Sequence, residues 1–287
     1  MNAIIQAQFA GAVRRHHHAK LLKLLSPGVH KLLRRQLARG GLLDGKVNTQ
    51  LFFGADMEVV LPEVVSEVLY TYGFFDEDVT SMVLQAVKAG DVVLDIGAHF
   101  GYFTLLLSHL VGSAGQVLAF EPTPSTFMVL ERNALGQDNI KTFNLAAGAD
   151  DDRLEIMDFG LKYCAWNTLA ATARMPHLGQ DGAAQRVPVG VVALDGFLVA
   201  RGIQPDFIKI DAENFEADVV QGLMKTLRIK PAKVLMETGS EGSLRAGKFL
   251  LEIGLTPHVI EQGGSLIRWP GELAQANARY KDILFLP

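Results

Sequence analysis

The sequence has little cysteine and no long apolar run, and each absence excludes a class of protein. Its 287 residues include one cysteine, so an intramolecular disulfide cannot form and a disulfide-stapled secreted scaffold is excluded. No stretch approaches the roughly 18 uninterrupted apolar residues of a membrane-spanning helix, and no apolar core of a secretory signal follows the basic N-terminus. These absences predict a cytoplasmic protein. With 49% apolar and 20% charged residues, the chain can form a large folded core.

Acidic residues are nearly absent from the first 46 positions, which hold nine Lys and Arg residues against the single acid Asp44. The rest of the chain, which we call the body, therefore holds 18 of the 27 basic residues and 30 of the 31 acidic residues. Such an acidic body predicts no nucleic-acid partner, because phosphate groups are contacted chiefly by Lys and Arg.

The basic extension at residues 1–46 is predicted to form two helices, separated at Ser26-Pro27-Gly28. Leucines at helical spacing give it an apolar stripe that needs burial, formed by Leu21, Leu25, Leu32 and Leu33. We expect these helices to cap the body or to form a homodimer. Contact with an anionic membrane or an acidic carrier protein is the alternative.

From residue 79 onward, short apolar runs alternate with helical stretches. The predicted strands are Val92–Ile96, Gln116–Phe120, Ile140–Leu145, Phe207–Ile210, Lys233–Met236 and Ile283–Leu286. The predicted helices are Val79–Val87, Tyr102–Leu110, Ser125–Leu135, Phe215–Leu227 and Leu244–Ile253. Runs that are apolar throughout suit strands buried on both faces of a parallel sheet, so the alternation predicts a doubly wound α/β fold.

This alternation of predicted strands and helices divides the chain into three parts. The basic extension is followed by a cap segment at 47–90 and by a Rossmann-like catalytic domain at 91–287. Residues 150–193 interrupt the rhythm with a Gly-, Gln- and Ala-rich stretch between two β-rich runs. We expect an insertion there, built as a hairpin and a loop near the site.

The strongest local pattern is the run from Val92 to Gly101, in which a buried strand passes through a glycine-bearing turn into a helix. Gly97 and Gly101 let the backbone turn sharply and approach a ligand closely. The acid Asp95 would repel the pyrophosphate of a dinucleotide, whereas S-adenosylmethionine brings a cationic sulfonium and ammonium. Glu121 ends the next strand and is placed to accept hydrogen bonds from ribose hydroxyls. The pattern indicates an adenosine-containing cofactor and leaves S-adenosylmethionine and NAD both open.

With these motifs, the sequence resembles the FkbM-type S-adenosylmethionine-dependent methyltransferases from about Tyr72 to the C-terminus. The resemblance is carried by Asp95–Thr104, Phe120–Pro122, Asn144–Ala147 and the most specific piece, Phe207–Glu216. It implies a class I methyltransferase fold, S-adenosylmethionine as cofactor, and a hydroxyl of a sugar, polyketide or related metabolite as acceptor. We assign the cofactor contacts to Asp95, Gly97, His99, Gly101, Tyr102, Glu121, Pro122, Ala147 and Asp211.

Three positions depart from the family's common pattern. His99 and Thr123 stand where the family often has Asn, and both departures bear on cofactor contacts. Asn214 stands where the family commonly has Gly. Because Asn tolerates a positive φ better than most residues, we expect the turn at this position to be kept.

Asp211 and Glu213 are the candidate catalytic residues. Asp211 follows an apolar strand and so lies at the sheet edge where α/β proteins bind ligands. An aliphatic hydroxyl is a poor nucleophile until its proton is removed, so either carboxylate would serve as the base. The same pair could instead hold a divalent ion, although we predict no metal site. We assign Glu216 to the N-terminus of the following helix and Lys209 to a structural ion pair.

Glu237 ends a further strand at the same edge, and the insertion offers the aromatic face of Trp166 and the amide of Asn167. These three are the candidate substrate contacts.

Two other functions compete with methyl transfer. A nicotinamide-dependent oxidoreductase is disfavoured by His99, which stands where the dinucleotide fingerprint requires glycine, and by the lack of a Tyr-x-x-x-Lys pair. A non-catalytic partner protein that kept the fold is disfavoured by the intact acidic and glycine motifs.

Overall fold

The computed structural model describes residues 2–25, 45–169 and 185–287. The helices are α1 (Asn2–Leu25), α2 (Val64–Tyr72), α3 (Glu77–Ala86), α4 (Tyr102–Val111), α5 (Pro124–Ala134), α6 (Leu194–Val199), α7 (Glu216–Gln221), α8 (Met224–Ile229), α9 (Glu241–Glu252) and α10 (Leu273–Arg279). The strands are β1 (Gly45–Gln50), β2 (Asp56–Leu61), β3 (Val92–Ile96), β4 (Gln116–Phe120), β5 (Ile140–Phe143), β6 (Ala146–Gly148), β7 (Asp152–Asp158), β8 (Gln185–Ala193), β9 (Phe207–Ile210), β10 (Lys233–Glu237), β11 (Thr256–Glu261), β12 (Ser265–Arg268) and β13 (Asp282–Leu286).

The centre of the fold is an eight-stranded sheet in the order β12-β11-β13-β10-β9-β3-β4-β5. Strands β5, β4, β3, β9 and β10 run parallel, and β13 is antiparallel to both β10 and β11. The chain leaves β3 toward β4 on one side and returns on the other side at β9. The carboxyl ends of the strands therefore open a crevice at this reversal, the usual ligand site of a doubly wound sheet. The predicted α/β fold is confirmed.

Apolar strand residues alternate between two cores on opposite faces of the sheet. Val93 and Phe207 belong to one core, and Leu94 and Ile208 to the other. All four side chains are 0% exposed. Burial on both faces explains why these strands are almost entirely apolar.

One predicted helix was wrong. The stretch Phe215–Leu227 forms two short helices because Asp195 interrupts it. The Asp195 N–H donates to the carbonyl of Gly222 at 2.7 Å, and its carboxylate accepts from the N–H groups of Lys225 and Thr226 at 3.0 and 2.7 Å. The carboxylate thereby caps a new helix N-terminus at α8.

The insertion contains a hairpin, in which β7 pairs antiparallel with β8 from Asp152 opposite Val191 to Asp158 opposite Gln185. Strand β6 adds to β8 in parallel and completes a separate three-stranded sheet. The boundaries proposed at residues 46, 90, 150 and 193 stay a prediction.

The N-terminal helix α1 packs on the body through Ile5, Phe9 and Ala12. The ring of Phe9 meets that of Phe74 edge-on at 5.3 Å. The contact is thus made nearer the N-terminus than the predicted leucine stripe. The side chains of that stripe and the second predicted helix lie outside the described residues. Among the described helices, none is both long and apolar enough to span a bilayer.

Candidate active site

A cavity of about 340 Å³ opens at the carboxyl ends of β3, β4, β9 and β10. It brings together most of the predicted site residues: Gly97, His99, Tyr102, Glu121, Pro122, Ala147, Asn167, Asp211, Glu213 and Glu237. Asp95 and Gly101 lie outside its wall, and the side chain of Trp166 lies outside the described residues. Sequence reasoning missed a group of apolar residues that also line the cavity, from β2, from α2 and from the loop that follows α2, because no motif marks them.

Gly97 shapes the floor of this cavity. Its φ is +74°, and a Cβ there would overlap the backbone carbonyl oxygen of Asp211. The N–H groups of Gly97 and Ala98 both donate to the carbonyl of Phe120 at 3.0 Å. The turn after β3 is therefore held against β4 and β9 with room for a ligand above it, and only glycine fits.

Glu121 is held rigidly at the end of β4. One carboxylate oxygen accepts from the N–H of Thr123 at 2.9 Å and the other from the N–H of His99 at 3.0 Å. Burial raises the pKa of Glu121 to about 7. The side chain of Thr123 also hydrogen-bonds to this carboxylate, and the lone pairs that remain can accept hydrogen bonds from a ligand.

The departure at His99 has a structural explanation. Its φ is +52°, a left-handed conformation in which Asn, Asp and His are enriched. The ring Nε2 lies 3.0 Å from the Sγ of Cys164 in the insertion. Burial lowers the pKa of His99, so the ring is neutral at pH 7. The residue joins the turn after β3 to the insertion.

Asp95 lies beneath the cavity, and this position does not favour a direct cofactor contact. It is 0% exposed, and one carboxylate oxygen accepts from the hydroxyl of Thr104 at 2.6 Å. The other lies 3.9 Å from the ammonium of Lys209, which is also 3.2 Å from a carboxylate oxygen of Asp211. Burial raises the pKa of Asp95. Lys209 therefore forms the predicted structural ion pair and links Asp95 to the cavity.

Tyr102 and Gly101 stand at the start of α4. The hydroxyl of Tyr102 lies 2.9 Å from that of Thr80, and burial raises its pKa. Gly101 adopts a φ of +95° as the N-cap of the helix. Both residues position the helix, and their predicted cofactor contacts stay predictions.

Asp211, Glu213 and Glu237 form a carboxylate cluster, with one oxygen from each within 4.8 Å of the others. Three carboxylates this close cannot all be ionised. Burial and the charge of Asp211 raise the pKa of Glu213 to about 8 and hold that of Glu237 well above the usual range. Burial opposes the ionisation of Asp211, but the charge of Lys209 together with hydrogen bonds from Glu237 and Lys209 lowers that pKa. At pH 7 Asp211 is therefore the ionised member.

The turn that carries Glu213 is strained. Glu213 and Asn214 have φ values of +46° and +76°, so two adjacent residues other than glycine occupy the left-handed region. The carboxylate of Glu216, which is 1% exposed, accepts from the N–H of Asn214 at 3.0 Å and from the hydroxyl of Ser240 at 3.2 Å. Glu216 thus has the structural role expected for it, and the positive φ expected at Asn214 is confirmed.

The amide of Asn167 is used within the insertion. Its nitrogen donates to the hydroxyl of Thr123 at 3.2 Å and to Asp158 at 3.3 Å, and its oxygen accepts from the N–H of Phe159 at 2.8 Å. These contacts favour a structural role, although the residue lines the cavity. Cys164 is buried, which raises its pKa, and no catalytic role follows.

Comparisons with known proteins point to one family. The profile of the methyltransferase FkbM domain matches residues 95–255. The chain is 28% identical over 164 residues to the 31-O-demethyl-FK506 methyltransferase FkbM of Streptomyces tacrolimicus. This similarity covers 48% of the chain and 61% of that protein, so the chain spans less than two thirds of the relative.

Solved structures give more distant likenesses. Methyltransferase FkbM from Methylobacillus flagellatus is 15% identical with a TM-score of 0.46, over 69% of this chain and 43% of that one. Aeropyrum pernix fibrillarin, in complex with natively bound S-adenosylmethionine, is 13% identical with a TM-score of 0.41, over 84% of this chain and 93% of that one. Likenesses this distant do not bear on the substrate.

Proposed function

The chain belongs to the FkbM methyltransferase family, and we propose that it transfers a methyl group from S-adenosylmethionine to a hydroxyl of a small molecule. Family membership favours this cofactor over NAD. The observation that carries the proposal is the carboxylate of Asp211 on the cavity wall, which lies 3.2 Å from the ammonium of Lys209. The relative from Streptomyces tacrolimicus is named for methylation at an oxygen, which agrees with a hydroxyl acceptor.

The residues present suit S-adenosylmethionine. The turn at Gly97 leaves a cradle that a Cβ would disrupt, and Glu121 offers fixed acceptors of the kind that bind ribose hydroxyls. Pro122 and Ala147 add small apolar surface to the wall. When bound, S-adenosylmethionine supplies an electrophilic methyl group on a cationic sulfonium, which the acidic cavity tolerates.

Asp211 is the proposed base. Its carboxylate is 39% exposed on the cavity side, so an acceptor hydroxyl can donate a hydrogen bond to it and then lose its proton there. Lys209 keeps Asp211 ionised and fixes its orientation. Glu213 and Glu237 hold protons at pH 7, so they can donate hydrogen bonds to acceptor oxygens and orient the hydroxyl.

We assign no metal to the carboxylate cluster. One oxygen of Asp211 is already paired with Lys209, and an acidic cluster alone does not require an ion. Activity that persists in EDTA is expected on this proposal. Loss of activity in EDTA and recovery with a divalent ion would replace the base mechanism with hydroxyl activation by a metal.

The test is to incubate the purified chain with methyl-labelled S-adenosylmethionine and a panel of hydroxylated sugars and polyketides. We expect label in an ether that resists mild base, as detected by mass spectrometry. Asp211→Asn should remove the product, whereas Asp218→Asn on the same segment, outside the cavity wall, should not. Label found only on nitrogen, on carbon or in a labile ester would overturn the proposed hydroxyl acceptor.

A further inference from the structure

The mouth of the cavity is completed by a segment that precedes the matched domain. The family match begins at residue 95. A group of apolar residues on the cavity wall lies before it: Met57, Val64, Val65, Leu69 and Phe75. We call this group the apolar wall. The apolar wall therefore lies outside the part of the chain that the family match covers.

The first turn of α2 is fixed in shape by its N-cap residue. The carboxylate of Glu63, which is 0% exposed, accepts from the N–H groups of Val65 and Ser66 at 2.9 and 2.7 Å. The hydroxyl of Ser66 in turn accepts from the N–H of Val60 at 3.2 Å. Val64 is nevertheless 47% exposed, so this fixed turn presents an apolar side chain that a ligand could cover.

Phe75 extends the apolar wall to the carboxylate cluster. Its carbonyl accepts from the hydroxyl of Thr80 at 2.6 Å, and that hydroxyl lies 2.9 Å from that of Tyr102 at the start of α4. The ring lies 5.6 Å from the ammonium of Lys281, which lines the cavity together with Glu237. A molecule in the cavity can therefore touch the apolar wall while its hydroxyl reaches the cluster.

The paired charges of the cavity disfavour an anionic occupant. The described wall carries four carboxyl groups and two ammonium groups, from Glu121, Asp211, Glu213, Glu237, Lys209 and Lys281, and Glu213 and Glu237 hold protons at pH 7. Both ammonium groups already have carboxylate partners, Lys209 with Asp211 at 3.2 Å and Lys281 with Asp76 at 3.5 Å. An anionic group placed here would have to compete with Asp211 and Asp76 for these ammonium groups, and it would lie close to the charge of Asp211 itself.

We propose that the apolar wall is an acceptor subsite for the uncharged hydrocarbon body of an alcohol. The inference rests on the proposed function, because it assumes a hydroxyl that points to the carboxylate cluster. The acceptor class is then an uncharged alcohol with a substantial apolar body, rather than a phosphorylated sugar, a nucleotide or a hydroxy acid.

The test is calorimetric titration of the full-length protein, saturated with S-adenosylhomocysteine, with 1-butanol, 1-hexanol and 6-hydroxyhexanoate. We expect affinity to rise roughly fourfold for each methylene that becomes buried. The hydroxy acid should bind at least tenfold more weakly than 1-hexanol. Val64→Ser should lower the affinity for 1-hexanol about fivefold. Val199→Ser, at a 66% exposed site on α6 outside the cavity wall, is the matched control and should change nothing.

The outcomes separate this subsite from the proposed function. Affinity that is independent of chain length, equal binding of the hydroxy acid, or equal effects of Val64→Ser and Val199→Ser would overturn the subsite. Ether formation with any of these results would leave the proposed function standing. Chain-length dependence that Val64→Ser weakens and Val199→Ser does not would support the subsite even if no hydroxyl acceptor is methylated, and that failure would count against the proposed function alone.

Discussion

Replacing Glu121 with Gln tests whether its carboxylate holds the ribose of the cofactor. The side chain is 6% exposed, and its oxygens already accept from the N–H groups of Thr123 and His99. Ribose hydroxyls would use the remaining lone pairs and would favour the ionised form. Since burial raises the pKa of Glu121 to about 7, binding should depend on pH near neutrality.

The expected magnitude follows from this pKa of about 7. About a tenth of the free protein is ionised at pH 6 and about nine tenths at pH 8, so affinity should rise roughly tenfold over this range. Glu121→Gln removes the titration, and its NH₂ group faces a backbone N–H that loses its acceptor. We expect affinity at pH 8 to fall by about 1.5–3 kcal/mol, roughly 10- to 150-fold.

The assay is calorimetric titration with S-adenosylhomocysteine, adenosine and 2′,3′-dideoxyadenosine at both pH values. Adenosine has the ribose hydroxyls but no amino-acid group, so its binding reports on the protein's own ionisation. The wild type should prefer adenosine to the dideoxy compound, and Glu121→Gln should lose that preference. Glu155→Gln is the control, because Glu155 pairs with Arg186 on the exposed side of β7. An unchanged preference and an unchanged pH profile in Glu121→Gln would refute the ribose assignment.

Three further predictions concern the base, the turn and the N-terminal helix. Asp211→Asn should lower turnover about 100-fold or more, as measured by initial rates, while calorimetry should show a much smaller change in the affinity for S-adenosylhomocysteine. Full activity of this variant in the presence of EDTA would exclude both the base role and the metal role of Asp211. Gly97→Ala should abolish S-adenosylhomocysteine binding because its Cβ meets backbone, whereas Gly54→Ala, also at positive φ but in open space, should retain it. Phe9→Ala should destabilise the protein by about 3–5 kcal/mol in urea unfolding, and Ile4→Ala, at a 70% exposed site, should cost under about 0.5 kcal/mol; equal midpoints would show that α1 is not docked.

The buried strands were predictable because their signal is local. Val92–Ile96, Gln116–Phe120 and Phe207–Ile210 have the bounds that their apolar runs indicate, since burial on both faces leaves few polar positions inside a strand. The charged exceptions, Asp95 and Lys209, lie beside each other on neighbouring strands. Gly97 was predictable for a similar reason, because a glycine after a buried strand signals a close backbone approach. The approach of Gly97 to Asp211 itself depends on the pairing of β3 with β9, which lie far apart in sequence.

The apolar wall could not be predicted, because its members belong to separate elements and share no spacing. Met57 lies on β2, Val64 begins α2 and Phe75 lies in the loop before α3. Each would be equally suited to an ordinary core position. They become one surface only in the folded chain, where the hydroxyl of Thr80 links the carbonyl of Phe75 to the hydroxyl of Tyr102, and no sequence pattern reports such tertiary contacts.

Which carboxyl group can act as the base depends on both the sequence and the register of the strands. Residues two apart on a strand share a face, so the sequence alone predicts that Lys209 lies beside Asp211. Register then places Asp95 opposite Lys209, and this buried carboxylate helps to hold the ammonium in place beneath the cavity. The charge of Lys209 and hydrogen bonds from Lys209 and Glu237 keep Asp211 ionised, while burial and the charge of Asp211 keep protons on Glu213 and Glu237. Three similar carboxyl groups therefore acquire different roles from their surroundings, and losing Lys209 should cost activity by raising the pKa of Asp211.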